Sequence, residues 1–365
     1  MRVEGRYRGR MVILRQALLM KHAAIAGIEY FVPETVLSTA GLAEEFPEWA
    51  VEKIDAKTGI RERHIARAGE CASDLGVQAA QKLFENGVCG PADIDFLLLC
   101  TQSPDYFLPT TACILQNRLG IPTSSGAYDF NLGCSGYVYG LGQAEGLIAT
   151  GQASCILLIT ADTYSKFIHP RDRSVRTIFG DGAAATLIRA VESDRPRIGP
   201  FVYGTDGKGA ENLIVPAGGC RRPGSAETSI AAEDSSGNFR SADKIFMNGA
   251  EIFTFTLNAV PDALDRLMKK ASVSVDDIDL FVFHQTNCYM LERLRARMKL
   301  PEEKFLVKMG QGNMVSASIP IALKHALDDR RLRDGDLIAL VGWGVGYSWG
   351  ATLLRWTDIP TGQSI

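Results

Sequence analysis

The sequence predicts an α/β protein made of two related halves, and three features carry that prediction. The segment Asp93-Ile-Asp-Phe-Leu-Leu-Leu-Cys-Thr-Gln102 returns as Asp277-Ile-Asp-Leu-Phe-Val-Phe-His-Gln-Thr286. Ala184-Ala-Thr-Leu-Ile-Arg189 returns, at a similar separation, as Gly350-Ala-Thr-Leu-Leu-Arg355. Each copy of the first segment also follows a helical pattern, over 74–85 and 259–270, so a helix leads into a buried, continuously apolar strand twice. The halves are expected at roughly 20–190 and 191–365.

The elements can be justified in chain order. Residues 1–19 carry Arg2, Arg6, Arg8, Arg10 and Arg15 around one short apolar patch, 11–14. Neither an adequate apolar core nor a small-residue cleavage site follows, so this stretch is expected to be a disordered basic arm or a start chosen too early, not a signal peptide. Met20 then opens a strand. After the helix at 74–85 and the strand at 96–100, a strand-like run ends at Gly133 and a second helical run extends through Gly140 to Ile148. Cys155-Ile-Leu-Leu-Ile159 reads as another buried strand. The stretch 217–244 contains Gly-Gly-Cys, Pro-Gly-Ser and Ser-Ser-Gly without apolar periodicity, which marks a surface loop, either the rim of a binding site or plain decoration. Helical patterning resumes at Phe246 and recurs over 319–327.

Composition narrows the class. The chain has 365 residues, 46% hydrophobic and 22% charged, with 36 glycines and 15 prolines, as in ordinary globular proteins. Lys and Arg total 39 against 42 Asp and Glu, a net charge of −3, so no global basic field attracts nucleic acid or anionic lipid. No apolar stretch approaches the roughly 18 residues of a spanning helix. Eight scattered cysteines contain no Cys-x-x-Cys pair. Four disulfides are arithmetically possible, but several cysteines lie in apolar runs where a thiol packs as a small hydrophobe, which points to a reducing, cytoplasmic compartment.

Three residues stand out as chemistry-bearing. Cys134 sits between a strand and a helix in Asp129-Phe-Asn-Leu-Gly-Cys-Ser-Gly-Tyr137. A helix N-terminus favours thiolate, so Cys134 is expected to be a nucleophile with a lowered pKa; the alternative is a small core residue like its seven fellows. His284 ends the apolar run Leu280-Phe-Val-Phe283, at the strand end where α/β sheets place ligands, although a structural histidine would fit there too. Asn313, in Gly310-Gln-Gly-Asn-Met-Val-Ser-Ala-Ser-Ile-Pro320, resembles a helix N-cap. In the repeat frame its helix is the counterpart of the helix after Cys134, so the two should meet about a pseudo-two-fold axis. The glycine clusters at 179–183 and 342–350 match neither a Walker A loop nor a dinucleotide fingerprint and read as tight strand connections.

Taken together, these motifs resemble the β-ketoacyl-acyl carrier protein synthase III family of the thiolase superfamily, from Met20 to Trp356. The resemblance rests on Thr58-Gly-Ile-Arg-Glu-Arg-His-Ile65, the Cys134 segment, Phe179-Gly-Asp-Gly-Ala183, His284-Gln-Thr-Asn287, Gly312-Asn313 with Ser316-Ala-Ser-Ile-Pro320, and Gly346-Tyr-Ser-Trp-Gly350. A Cys-His-Asn set, in place of Cys-His-His, points to the priming branch. The resemblance implies a five-layered αβαβα thiolase-like fold, a homodimer, and decarboxylative Claisen condensation of an acyl-CoA primer with malonyl-acyl carrier protein or malonyl-CoA.

By the same resemblance Cys134 would form the acyl-enzyme, and His284 and Asn313 would stabilise the malonyl-derived enolate. The backbone N–H groups of Cys134 and Val345 would form an oxyanion hole. Phe107 or Leu108 would reach across the dimer to floor the acyl pocket, and Lys57 and Arg173 would meet the CoA phosphates. No cofactor or metal is implied.

The chain departs from the family at Tyr289, where a carrier-contacting arginine is usual; Arg293, Arg295 and Arg297 lie nearby. An insertion ahead of Thr58 separates Trp49 from the position of the tryptophan that stacks on the CoA adenine. These departures motivate an alternative, an acyltransferase moving the acyl group from Cys134 to a non-malonyl acceptor. A non-catalytic partner subunit is disfavoured by the complete reactive set.

Overall fold

The computed structural model describes residues 20–357; the basic arm expected at 1–19 lies outside them. Five strands form the first sheet: β1 (Met20–Phe31), β2 (Phe96–Cys100), β3 (Gly126–Phe130), β4 (Cys155–Asp162) and β5 (Gly182–Ser193). Their order is β1-β5-β4-β2-β3, with β2 parallel to β3 and β4, and β5 antiparallel to β4 and β1. The second sheet contains β6 (Ile198–Thr205), β7 (Leu280–Phe283), β8 (Leu337–Gly344) and β9 (Ser348–Arg355), in the order β7-β8-β9-β6. Here β7 is parallel to β8, and β9 is antiparallel to β8 and β6. Even the edge strand β3 has a vestigial counterpart, a parallel bridge from Phe281 to Phe305. Both sequence repeats therefore occupy equivalent strands, β2 with β7 and β5 with β9.

Helices complete the layers. On the outer face of the first sheet pack α1 (Ala72–Glu85) and α2 (Thr111–Leu119). Between the sheets lie α3 (Gly136–Ala149) and, from the other half, a helix over Ser318–Asp328. The outer face of the second sheet carries α4 (Gly249–Ala271) and, packed on it, α5 (Cys288–Met298); the inner helix of that half is α6 (Ser318–Asp328). This is the five-layered αβαβα arrangement that the resemblance implies.

Strand periodicity explains the cores. Leu98 of β2 and Val282 of β7 face inward to Tyr137, Leu141, Ile319 and Leu323 of the central helices. Their neighbours Leu97, Leu99, Phe281 and Phe283 face the outer helices instead. Strands buried on both faces need no polar alternation, which is why they read as continuous apolar runs. Local signals set the helix ends: Asn287 Oδ1 accepts the Met290 N–H at 2.8 Å to start α5, and Cys71 N–H donates to Asp74 Oδ2 at 2.7 Å to start α1.

Two expectations need correction. Asn313 does not cap a helix. A short 3₁₀ turn over Val315–Ala317 intervenes and α6 begins only at Ser318, while Asn313 Oδ1 accepts the Val315 N–H at 2.9 Å as a local turn. The helix expected over 259–270 is α4, which starts ten residues earlier at Gly249 and continues through Pro261. The helical patterning that resumes at Phe246 belongs to this same helix. The stretch 217–244 is irregular apart from the two-residue pairing of Ala232–Glu233 with Phe239–Arg240. It is fastened to the segment that carries Arg173: Phe239 N–H donates to Arg171 O at 3.2 Å, and Arg240 Nε lies 3.3 Å from the buried Asp172 Oδ2.

Candidate active site

Cys134 occupies the turn between β3 and α3, two residues before the helix begins, and is 6% exposed. The β8–β9 hairpin crosses directly over it. A Cβ on Gly342 would stand 2.6 Å from Cys134 O, and one on Gly344 would stand 3.1 Å from Cys134 Sγ, so only glycine lets the strand approach this closely. Ser135 Oγ meets Ser348 Oγ at 2.6 Å, locking the turn to the hairpin and bringing Val345 against Cys134.

The surroundings of the thiol are apolar. Tyr164, Ile168, Val175, Phe179, Leu213 and Val315 are buried in one cluster with it. Burial first, and the carboxylate of Asp162 second, push the Cys134 thiol well above its ordinary range. The lowering expected from the helix terminus is opposed by this burial, which disfavours the thiolate.

Asn313 is held by the first half of the chain. Its N–H donates to Ile178 O at 2.9 Å and its carbonyl accepts the Gly180 N–H at 3.1 Å, a parallel bridge to Phe179. With Oδ1 taken by Val315, its Nδ2 makes no hydrogen bond among the described residues and is the free donor. His284 is fully enclosed. Its N–H donates to Val341 O at 2.8 Å, and Nδ1 lies 2.6 Å from Ser318 Oγ at the start of α6. Burial pulls its imidazole down to about 3, so the ring is neutral. When Nδ1 accepts the Ser318 hydroxyl, Nε2–H is a donor.

The neighbouring Gln285 serves the structure. Its Nε2 donates to Phe283 O at 2.6 Å, and its Oε1 accepts the Lys308 N–H at 2.7 Å.

Lys57 and Arg173 are both exposed. Arg63 ties their segments together, with Nε donating to Thr177 O at 2.9 Å and Nη2 to Ile60 O at 3.1 Å. Trp49 is buried and stacks on Phe46, with centroids 4.3 Å apart, so it presents no outward stacking face. Tyr289 is 41% exposed, stacks on Phe253 at 5.9 Å, and carries the Arg293 guanidinium 5.1 Å above its ring; Arg295 is paired with Glu292. Phe107 and Leu108 do not reach the Cys134 cluster of their own chain; they are 84% and 87% exposed.

Several residues in contact with these groups are not evident from the sequence. Ser316 and Ser318 lie inside the motif that follows Asn313, with nothing there to mark what they bind. Asp162 ends an apolar strand just as His284 does, and that same signal would find it. Leu213 and Val175 carry no signal at all.

Comparison with known proteins places the fold in a family. The family model of 3-oxoacyl-[acyl-carrier-protein (ACP)] synthase III matches residues 128–207, and the model of its C-terminal region matches 268–356. A β-ketoacyl-[acyl-carrier-protein] synthase III from Symbiobacterium thermophilum is 37% identical over 338 residues, 92% of this chain and 99% of its own. One from Natranaerobius thermophilus is 36% identical over 340 residues, 92% and 100% of the two chains. A crystal structure of a 3-oxoacyl-(acyl-carrier-protein) synthase III is 54% identical with a TM-score of 0.91, covering 92% of this chain and 100% of that one. The 3-oxoacyl-(acyl-carrier protein) synthase from Burkholderia xenovorans LB400 superposes with a TM-score of 0.84 at 38% identity, covering 93% and 96%.

Proposed function

This chain belongs to the β-ketoacyl-[acyl-carrier-protein] synthase III family of acyl-transferring condensing enzymes, and on that premise we propose that Cys134, His284 and Asn313 divide its reaction into two half-reactions. In the first, Cys134 Sγ attacks the thioester carbonyl of an acyl-CoA. The acyl–S bond to CoA breaks, the thiol proton leaves with the CoA sulfur, and an acyl-cysteine remains. In the second, malonyl-acyl carrier protein or malonyl-CoA loses CO2, and the electron pair of the broken C–C bond passes into an enolate. Nδ2 of Asn313 and Nε2–H of His284 donate to its oxygen. The enolate carbon attacks the acyl-cysteine carbonyl, whose developing oxyanion is met by the N–H groups of Cys134 and Val345; collapse expels the thiolate, which regains a proton.

The observations that carry this reading are a neutral His284 whose Nδ1 meets Ser318, an Asn313 whose Oδ1 is taken by Val315, and a thiol enclosed in the apolar cluster that holds that same Val315. A neutral imidazole with Nδ1 occupied by Ser318 donates a hydrogen bond without requiring a proton from solvent. An apolar cluster excludes the water that would hydrolyse an acyl-enzyme. Lys57 and Arg173, both exposed, supply positive charge for CoA phosphates. The exposure of Phe107 and Leu108 supports a homodimer in which they floor the partner's acyl pocket. Eight unpaired cysteines support a reducing, cytoplasmic setting.

Acyl loading and malonyl decarboxylation, measured separately, test the proposal. Incubation with a panel of acyl-CoAs should give an acyl adduct by intact mass on wild type and none on Cys134→Ala. His284→Ala and Asn313→Ala should still load but release CO2 from malonyl thioesters roughly 10²–10³-fold more slowly, as for loss of one oxyanion donor. A wild type that loads acyl groups yet never decarboxylates malonyl substrates overturns condensation in favour of transfer to another acceptor.

A further inference from the structure

Asp162, at the C-terminal end of β4, is a fully buried carboxylate that neither half-reaction uses. Its Oδ1 accepts the Gln102 N–H at 2.8 Å. Its Oδ2 accepts the Ser316 N–H at 3.3 Å and also the Ser316 hydroxyl. Each partner leads to a reactive group. The Gln102 side chain lies against Gly133, beside Cys134, where an added Cβ would collide with Oε1. Ser316 follows Val315, whose N–H is held by Asn313 Oδ1 and whose Cγ1 would stand 3.3 Å from that same Cβ. One carboxylate thus joins the segment that aims Asn313 to the loop that backs the nucleophile.

Keeping a carboxylate here is costly. Burial pushes Asp162 up to about 7 although the Ser316 and Gln102 donors pull the other way. The titratable groups facing it are Cys134, Cys100 at the end of β2, Tyr164 after β4, and Asp181 at the start of β5, which itself faces Lys166. None of them forms a salt bridge with it, so the three donated hydrogen bonds are its compensation.

We propose, resting on the condensation reading, that Asp162 is a positioning residue that fixes the Asn313 segment against the Cys134 turn and so governs malonyl decarboxylation more than acyl loading. Asn313 donates only to the malonyl carbonyl, so loosening its segment leaves the first half-reaction largely intact. A second consequence follows from charge. Burial first and the Asp162 carboxylate second keep Cys134 protonated, so removing the charge without changing shape should make the thiol ionise at lower pH.

Two variants separate these effects. Ser316→Ala removes the hydroxyl donor and keeps the charge; Asp162→Asn removes the charge and can still accept from Gln102, but an NH2 turned to Ser316 no longer accepts its N–H or its hydroxyl. Both should load an acyl group in single turnover within about threefold of wild type and lose malonyl decarboxylation by about tenfold or more, as for a hydrogen bond to a charged group. Asp162→Asn alone should move the pH profile of iodoacetamide alkylation at Cys134 to lower pH. Decarboxylation at the wild-type rate in Ser316→Ala overturns the proposal, and so does equal loss of loading and decarboxylation, the pattern of a merely structural residue. If Asp162→Asn does not fold, Ser316→Ala still decides. A wild type that fails to decarboxylate at all rejects the condensation reading itself, an outcome visible before either variant is made.

Discussion

His284 shows what enclosure does to a single side chain. Its ring is pulled down to about 3 by burial alone, whereas in the unfolded chain it titrates near 6.5. Between those values the folded protein binds fewer protons than the unfolded chain, so the stability associated with neutral His284 is present above about pH 6.5 and is lost as pH falls toward 3. At pH 4.5 the loss amounts to about 3 kcal/mol, two pH units at about 1.4 each. His284→Asn should remove that acid sensitivity. Chemical denaturation of wild type and variant at pH 7.5 and 4.5 checks it, and an identical change in both proteins would show that His284 is not buried neutral. Asp162 has the opposite sign: its raised value favours the fold at low pH, and that contribution is lost as pH rises through about 7. The comparison must therefore be between wild type and variant, not between pH values alone.

At the scale of elements, the β8–β9 hairpin determines where Cys134 can sit. At Gly342 an added methyl group would meet backbone, Cys134 O at 2.6 Å and Ser135 Cα at 2.9 Å, neither of which can swing aside. Gly342→Ala should destabilise the protein by about 2 kcal/mol or more and abolish acyl loading. At Gly344 the methyl group would meet the Cys134 side chain, Cβ at 3.0 Å and Sγ at 3.1 Å, a milder contact that a shift of a few tenths of an ångström relieves. Gly344→Ala should leave Tm nearly unchanged while slowing acyl loading by about tenfold, because the nucleophile is displaced without disturbing the core. Thermal melts paired with single-turnover loading distinguish the two; equal Tm losses would mean that the hairpin does not press on the turn as described.

Over the whole molecule, the conspicuous apolar feature outside the cores is the loop holding Tyr106, Phe107 and Leu108, three consecutive exposed side chains. Contiguous exposed apolar groups mark contact surfaces, and a second copy of this chain is the partner that the acyl-pocket assignment requires. Wild type should sediment as a dimer. Phe107→Asp with Leu108→Asp should shift it toward monomer and flatten acyl-chain preference while malonyl decarboxylation per acyl-enzyme changes little. A variant that remains dimeric with wild-type chain preference would remove this loop from both roles. Among the described residues no helix is long and apolar enough to cross a membrane.

The duplication and the buried strands are legible in the sequence because each has a local signature, a repeated segment or a continuous apolar run; Cys134 and His284 stand out by their places at strand ends, whereas the N-cap signature of Asn313 does not hold. The tertiary structure alone decided the rest. Ser318 reaches His284 across 34 positions and Ser316 reaches Asp162 across 154, contacts that leave no periodicity in either segment. Whether Trp49 faces solvent or stacks on Phe46 depends on how an inserted segment folds back, which residue type does not specify. The state of the Cys134 thiol departs from its sequence expectation for the same reason. A helix terminus can be read from neighbouring residues, but the exclusion of water and the approach of Asp162 arise only when β4, the β8–β9 hairpin and the Asn313 segment close around it.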